Sequence, residues 1–207
     1  MQPSSDWPRD RLQAHFRESA EVLRQVAEEC AGGILAAAQM MAETFRAGGK
    51  VLLCGNGGSA ADCQHTAAEL VSRLTSDFER PGLPALALTT DTSFLTAFAN
   101  DCGFEGVFAR QVQALGTPSD LIIGISTSGN SANVIRALEA ARQINMRTIA
   151  LTGKGGRLAA LADLTIAVPS TTTPCIQEAF LAIEHMLCDL VERHLFGQSS
   201  AARAGPL

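Results

Sequence analysis

The chain has 207 residues, 46% of them apolar, and a formal net charge of −5, which is enough length for one domain with a sizeable core. No apolar run approaches the roughly 18 residues of a membrane span, and the opening MQPSSDWPRDRLQAHF has no signal-peptide core after its first charges. The acidic balance argues against general nucleic-acid binding, which needs a basic face.

Taken in order, residues 1–8 read as a flexible end. From residue 9 to 47 the pattern is helical, with Leu12, Phe16, Leu23, Val26 and Ala27 on one face and a break at Ala31–Gly32–Gly33. This N-terminal helical pair serves either to pack against another subunit or to cover its own sheet, and both readings stand. Apolar runs then alternate with helical patterns. The strands are expected at Lys50–Cys54, Ala85–Leu88, Leu121–Ser126, Thr148–Leu151 and Leu164–Val168. Helices are expected at 59–74, 93–114, 131–144 and 157–162, with a last one from Cys175 to His194. Strands that are apolar throughout, alternating with helices, predict a five-stranded parallel sheet covered on both faces. The fold class is therefore α/β, a three-layer doubly wound α/β/α domain over residues 9–196, with a flexible tail from 197 to 207. The six cysteines form no CxxC pair and several sit inside apolar runs, so they read as reduced, mostly buried thiols of a cytoplasmic protein.

Ligands of open parallel sheets bind at the carboxyl ends of the strands. Three loops leave such ends with distinctive chemistry. The first, in GNGGSAADCQHTAAE, is a glycine-rich turn between a strand and a helix, which brings backbone N–H groups and a helix N-terminus to an anion. One turn into that helix, His65 and Glu69 share a face; such a pair taken alone is more often an exposed ion pair. The second loop, Ser126–Thr127–Ser128–Gly129–Asn130–Ser131, has four hydroxyls before a helix. Capping a helix needs one of them, so the loop reads as a binder of phosphate or sugar. The third, Thr152–Gly153–Lys154–Gly155–Gly156, reads as a solvated turn, although Lys154 has the length to reach a phosphate.

GNGGSAADCQHTAAEL, LTTDTSFLTAFAND, IGISTSGNSANVI, LTGKGG and IQEAFLAIEH follow one another in the order found in sugar isomerase (SIS) domains. The chain resembles, more closely, the phosphoheptose isomerases, which convert sedoheptulose 7-phosphate to D-glycero-D-manno-heptose 7-phosphate for heptose precursor biosynthesis. The resemblance runs from the N-terminal helices to about Phe196. It implies a sugar-phosphate pocket made by Asn56, Gly57, Gly58, Ser59 and Glu69, by Asn100 and Asp101, by Ser126, Thr127, Ser128 and Ser131, and by Gln177. It also implies one zinc ion per subunit on His65, Glu69, Gln177 and His185, with Glu69 as catalytic base and His185 as acid. Pro174 stands where some members have an acidic residue, which removes one auxiliary charge. A homotetramer is implied as well.

The implied chemistry is self-consistent. Moving a carbonyl through an enediol takes a base for a C–H proton, an acid for oxygen, and stabilisation of negative charge. A carboxylate, an imidazole and a Lewis-acidic ion supply these. Gln177 and His185 lie eight residues apart, a helical rise of about 12 Å. Both reach one ion only if the helix end bends or another subunit contributes, which puts the expected site at or near a subunit interface. The competing reading is a non-enzymatic SIS homologue that binds the replication initiator DnaA; such proteins generally lack the catalytic pair that this chain has in Glu69 and His185. SIS sugar-phosphate sensors usually add a DNA-binding domain, and no segment here reads as one.

Overall fold

The structure is a computed structural model and describes residues 6–201. Its centre follows from the apolar runs that lack alternation. β1 (Val51–Cys54) and β3 (Leu121–Ser126) are buried at every residue. They are flanked by β2 (Ala85–Ala87), β4 (Arg147–Thr152) and β5 (Leu164–Ala167) in the order β2-β1-β3-β4-β5, all parallel. Leu53 stands opposite Ala87 on one side and Ile123 on the other.

Successive strand residues point to opposite faces, which divides the core in two. Val51, Leu53, Leu121, Ile123, Ile149 and Leu151 pack under α2 (Ala31–Arg46), α3 (Gly58–Val71) and the long α7 (Thr173–Ala201). Leu52, Cys54, Ile122 and Ala150 pack under α5 (Val107–Leu115) and α6 (Ala132–Gln143). The three layers are those expected from the alternation of runs.

The two N-terminal helices differ in how much they bury. α1 (Trp7–Glu29) starts two residues before position 9, with Pro8 in its first turn where a missing N–H costs nothing. The break falls at Cys30, and Gly32 and Gly33 lie inside the first turn of α2. A Cβ on Gly33 would sit 3.4 Å from Ile166 Cγ1, so a small residue there lets α2 approach β5 closely. α2 buries Ala37, Ala38, Met41 and Ala42 over the sheet. α1 turns Val22 and Val26 inward, while Leu12, Phe16 and Leu23 remain 58%, 65% and 38% exposed.

Other boundaries shift for local reasons. The helical pattern 93–114 divides at Gly103, whose φ of 89° is outside the helical region, into α4 (Thr92–Cys102), one 3-10 turn at Phe104–Gly106, and α5. The pattern 157–162 is a single 3-10 turn, Arg157–Ala160. α7 continues past position 196 to Ala201, since no proline interrupts that stretch. Positions 1–5 and 202–207 of the expected flexible ends lie outside the described residues. Among those described, no helix is long and apolar enough to cross a membrane. Five of the six cysteines are buried, and all six are unbridged.

Candidate active site

Strand order reverses between β1 and β3, and at such a switch point the two outgoing loops diverge and open a crevice. Here the crevice receives Asn56–Gly57 from β1 and Thr127–Ser131 from β3. The asparagine of the first loop is tied across it. Asn56 Nδ2 donates to Asn133 Oδ1 at 2.8 Å, and Asn133 Nδ2 donates to Asn56 Oδ1 at 2.9 Å. Gly57, with φ 57°, occupies the N-cap of α3. Ser59 is buried in that helix's first turn against Gly55.

In the second loop the hydroxyls bond to one another. Ser126 Oγ lies 3.0 Å from Ser131 Oγ and 3.4 Å from Ser128 Oγ. Ser131 is the N-cap residue of α6, yet its side chain makes no capping bond, and α3 likewise has no side-chain cap. Capping therefore accounts for none of the four hydroxyls; in the first turn of α6 the Val134 N–H donates to Asn133 Oδ1 at 3.0 Å, and neither N-cap residue, Gly57 nor Ser131, makes a side-chain cap bond.

The third loop supports the second. Gly153 N–H donates to Thr127 O at 3.2 Å, Leu158 N–H to Gly129 O at 2.9 Å and Arg157 N–H to Asn130 Oδ1 at 3.1 Å. A Cβ on Gly129 would lie 2.5 Å from Gly155 O, and one on Gly156 would lie 2.5 Å from Gly129 Cα, so the two loops touch backbone to backbone. Lys154 is exposed and lines a cavity of about 210 Å³ with Thr127, Ser128, Ser170, Thr171 and Thr173.

The titratable groups come from α3 and α7. His65 Nε2 and His185 Nε2 share a hydrogen bond of 2.8 Å, and His65 Nε2 lies 3.8 Å from Glu69 Oε1. Gln177 is turned elsewhere: its amide donates to Asp62, and its Oε1 would meet a Cβ on Gly58 at 2.9 Å. Burial pushes the Asp62 carboxyl up to about 6, against the opposing pull of His65. Glu184, beside His185, is buried with no hydrogen-bond partner on either oxygen among the described residues. Burial, reinforced by Asp62, pushes it up to about 9.

The structure thus gathers His65, Glu69 and His185, and separately Asn56 with Asn133 and Ser126 with Ser128 and Ser131. Asn100 and Asp101 are exposed at the end of α4, where Asn100 Nδ2 donates to Asp101 Oδ1 at 2.8 Å. Sequence reasoning missed Asn133, Asp62 and Glu184. Asp62 stands three before His65 and so was within reach of helical spacing; Asn133 stands two beyond Ser131, on a different face, and had only its place in the STSGNSAN motif. Glu184 had no signal, because a carboxylate in AFLAIEHML reads as helix surface.

The donors suit a zinc ion in kind, being two imidazole nitrogens and a carboxylate oxygen that converge from two helices. Two nitrogens on one tetrahedral zinc stand about 3.4 Å apart, so the 2.8 Å pair would open slightly to admit the ion. Among the described residues, no group of three or more His, Cys, Asp or Glu is spaced to hold a metal ion, so these donors would have to move to do so.

Residues 14–153 match the SIS domain family, which places the fold and its switch-point crevice among the sugar isomerase domains. The chain is 56% identical over 191 residues to a phosphoheptose isomerase of Roseiflexus sp. (strain RS-1), covering 92% of this chain and 94% of the relative. It is 49% identical to that of Helicobacter pylori (strain P12), covering 89% and 96%. The solved phosphoheptose isomerase of Neisseria gonorrhoeae superposes with a TM-score of 0.84 at 45% identity, covering 89% of this chain and 98% of that one. The chain belongs to the phosphoheptose isomerases of the SIS-domain family.

Proposed function

We propose that the chain interconverts sedoheptulose 7-phosphate and D-glycero-D-manno-heptose 7-phosphate through an enediol, supplying a heptose precursor. The meeting of His65 with both Glu69 and His185, on the helix that leaves the Asn56–Gly57 turn of the crevice, is the observation that carries this reading. The phosphate would sit among Ser126, Thr127, Ser128 and Ser131, before the N-terminus of α6. Asn56, Gly57, Gly58 and Ser59 would face the sugar, with Gln177, Asn100 and Asp101 at its rim. The Glu69 carboxylate takes a proton from C1 of the ketose while His185 gives one to O2. Return of the first proton to C2, as His185 takes back the proton on O1, completes the aldose and regenerates both groups.

His65, Glu69 and His185 would hold zinc, with Gln177 joining once it releases Asp62, and the ion would act as a Lewis acid toward the sugar oxygens. Assembly as a homotetramer, with sites at subunit interfaces, is supported by the outward Leu12, Phe16 and Leu23 of α1. α4 supports it too, since Phe94, Leu95 and Phe98 are only half-buried there. Five buried, unbridged thiols suit the cytoplasm.

The test is turnover of sedoheptulose 7-phosphate by the purified protein, before and after removal of metal with a chelator. Turnover that is lost on chelation and restored by zinc supports the full reading. Turnover indifferent to chelation removes the metal, and none in either state removes the reaction.

A further inference from the structure

The segment 72–84 between α3 and β2 has no regular secondary structure, yet one of its side chains is wholly enclosed. The Arg80 side chain is 0% exposed, and that of its partner Glu192 on α7 is 3% exposed. Arg80 Nε and Nη2 reach Glu192 Oε1 at 2.9 and 2.8 Å. The rest of the guanidinium faces the end of α3. Nη2 donates to the carbonyl oxygen of Glu69 at 2.7 Å, and Nη1 donates to that of Leu70 at 2.6 Å. Glu192 Oε1 also accepts the Leu74 N–H at 3.1 Å.

The carbonyls of a last helical turn have no partner within the helix, and a cation is favoured there. Arg80 serves both needs, but a buried ion pair is by itself weak evidence of a stabilising role, because desolvation offsets the attraction. Its placement says more. α3 presents His65 and Glu69, and α7 presents His185 with Glu192 seven residues on, two turns along the same face. Arg80 therefore joins the backbone of Glu69 itself to the helix of its partner acid. A guanidinium can donate in three directions within one plane, which a lysine ammonium cannot reproduce.

We propose that Arg80, held by Glu192, is a positioning residue for the acid–base pair, fixing the separation of Glu69 and His185 by clamping the end of α3 to α7. This rests on the reading of Glu69 and His185 as base and acid.

Wild-type turnover is measured first; its absence would count against that reading and not against the clamp. Given turnover, Arg80→Lys is expected to lower kcat by about 10- to 100-fold with KM changed less than about threefold, because misplacement by about 1 Å falls on the chemical step and the phosphate loop is untouched. In Arg80→Ala, guanidinium ion at tens of millimolar is expected to raise kcat about tenfold, and sodium chloride at equal strength is not. Glu192→Gln, which keeps the shape and removes the charge, should lower kcat several-fold and serves where the arginine variants fold poorly. Activity normalised to the folded fraction by circular dichroism and thermal melting separates the alternatives. Wild-type kcat per folded molecule in Arg80→Lys and Glu192→Gln, or a loss confined to KM, would overturn the proposal.

Discussion

The two ends of the sheet use similar polar residues in opposite ways. At the amino end, Asp120 before β3 accepts the Lys50 N–H at 2.8 Å, Lys50 Nζ at 2.6 Å, the Thr117 N–H at 2.8 Å and the Thr117 hydroxyl at 2.9 Å. Asp163 before β5 accepts the Thr148 N–H at 2.8 Å and the Thr148 hydroxyl at 2.9 Å. These carboxylates hold neighbouring strands and loops in register. At the carboxyl end, by contrast, Ser126 and Ser131 bond to each other, as do His65 and His185. A hydroxyl bonded to a hydroxyl loses little when a ligand oxygen replaces its partner, whereas a buried carboxylate stripped of several donors loses much. One end is closed, and the other is exchangeable.

The largest effect that would sharpen this contrast is on chemistry. Glu69→Gln should lower kcat by about 10³-fold while leaving the thermal midpoint near that of wild type, in steady-state assays paired with melting curves. Activity within about tenfold of wild type would remove Glu69 as the base. At the opposite end, Asp120→Ala should cost about 3 kcal/mol in urea unfolding and leave kcat and KM of the folded protein unchanged.

Acid should weaken the same staple. Burial pushes the Asp120 carboxyl up, but hydrogen bonds from Lys50 and Thr117 outweigh it and hold it below the usual range. A lowered folded value means the contribution is complete above the unfolded pKa of about 3.9 and fades as pH falls through the folded one. The stability gap between wild type and Asp120→Asn, followed by urea unfolding, should therefore narrow below about pH 4. A gap independent of pH would show that charge plays no part. The smallest expected effect is that of Ser131→Ala, which should raise KM about tenfold with stability shifted by less than about 0.5 kcal/mol.

The strands were legible because central parallel strands need apolar side chains on both faces, and LLC and LIIGI have them. The division of 93–114 was harder to read, since Gly103 inside a helical pattern is tolerated elsewhere and only its φ of 89° ends the helix. In the site, the loops were visible as motifs, and the i, i+4 spacing of His65 and Glu69 put them on one face. Contacts between distant segments were not visible. The pairing of His65 with His185 spans 120 residues, Arg80 with Glu192 spans 112, and Asn56 with Asn133 spans 77. Each depends on how α3 meets α7 or α6, which periodicity within one element does not encode. Outward placement of Leu12 and Phe16 was equally open, because an apolar stripe states that something covers it and not what.

The touching glycines beneath the second loop have a dynamic consequence. Gly129 and Gly156 touch with no side chain between them, and hydrogen bonds from Gly153, Arg157 and Leu158 tie the two loops, so the loops are expected to move as one body. Binding of a phosphate to the hydroxyl loop should then slow amide hydrogen exchange in LTGKGG as much as in STSGNS, although the former need not touch the ligand.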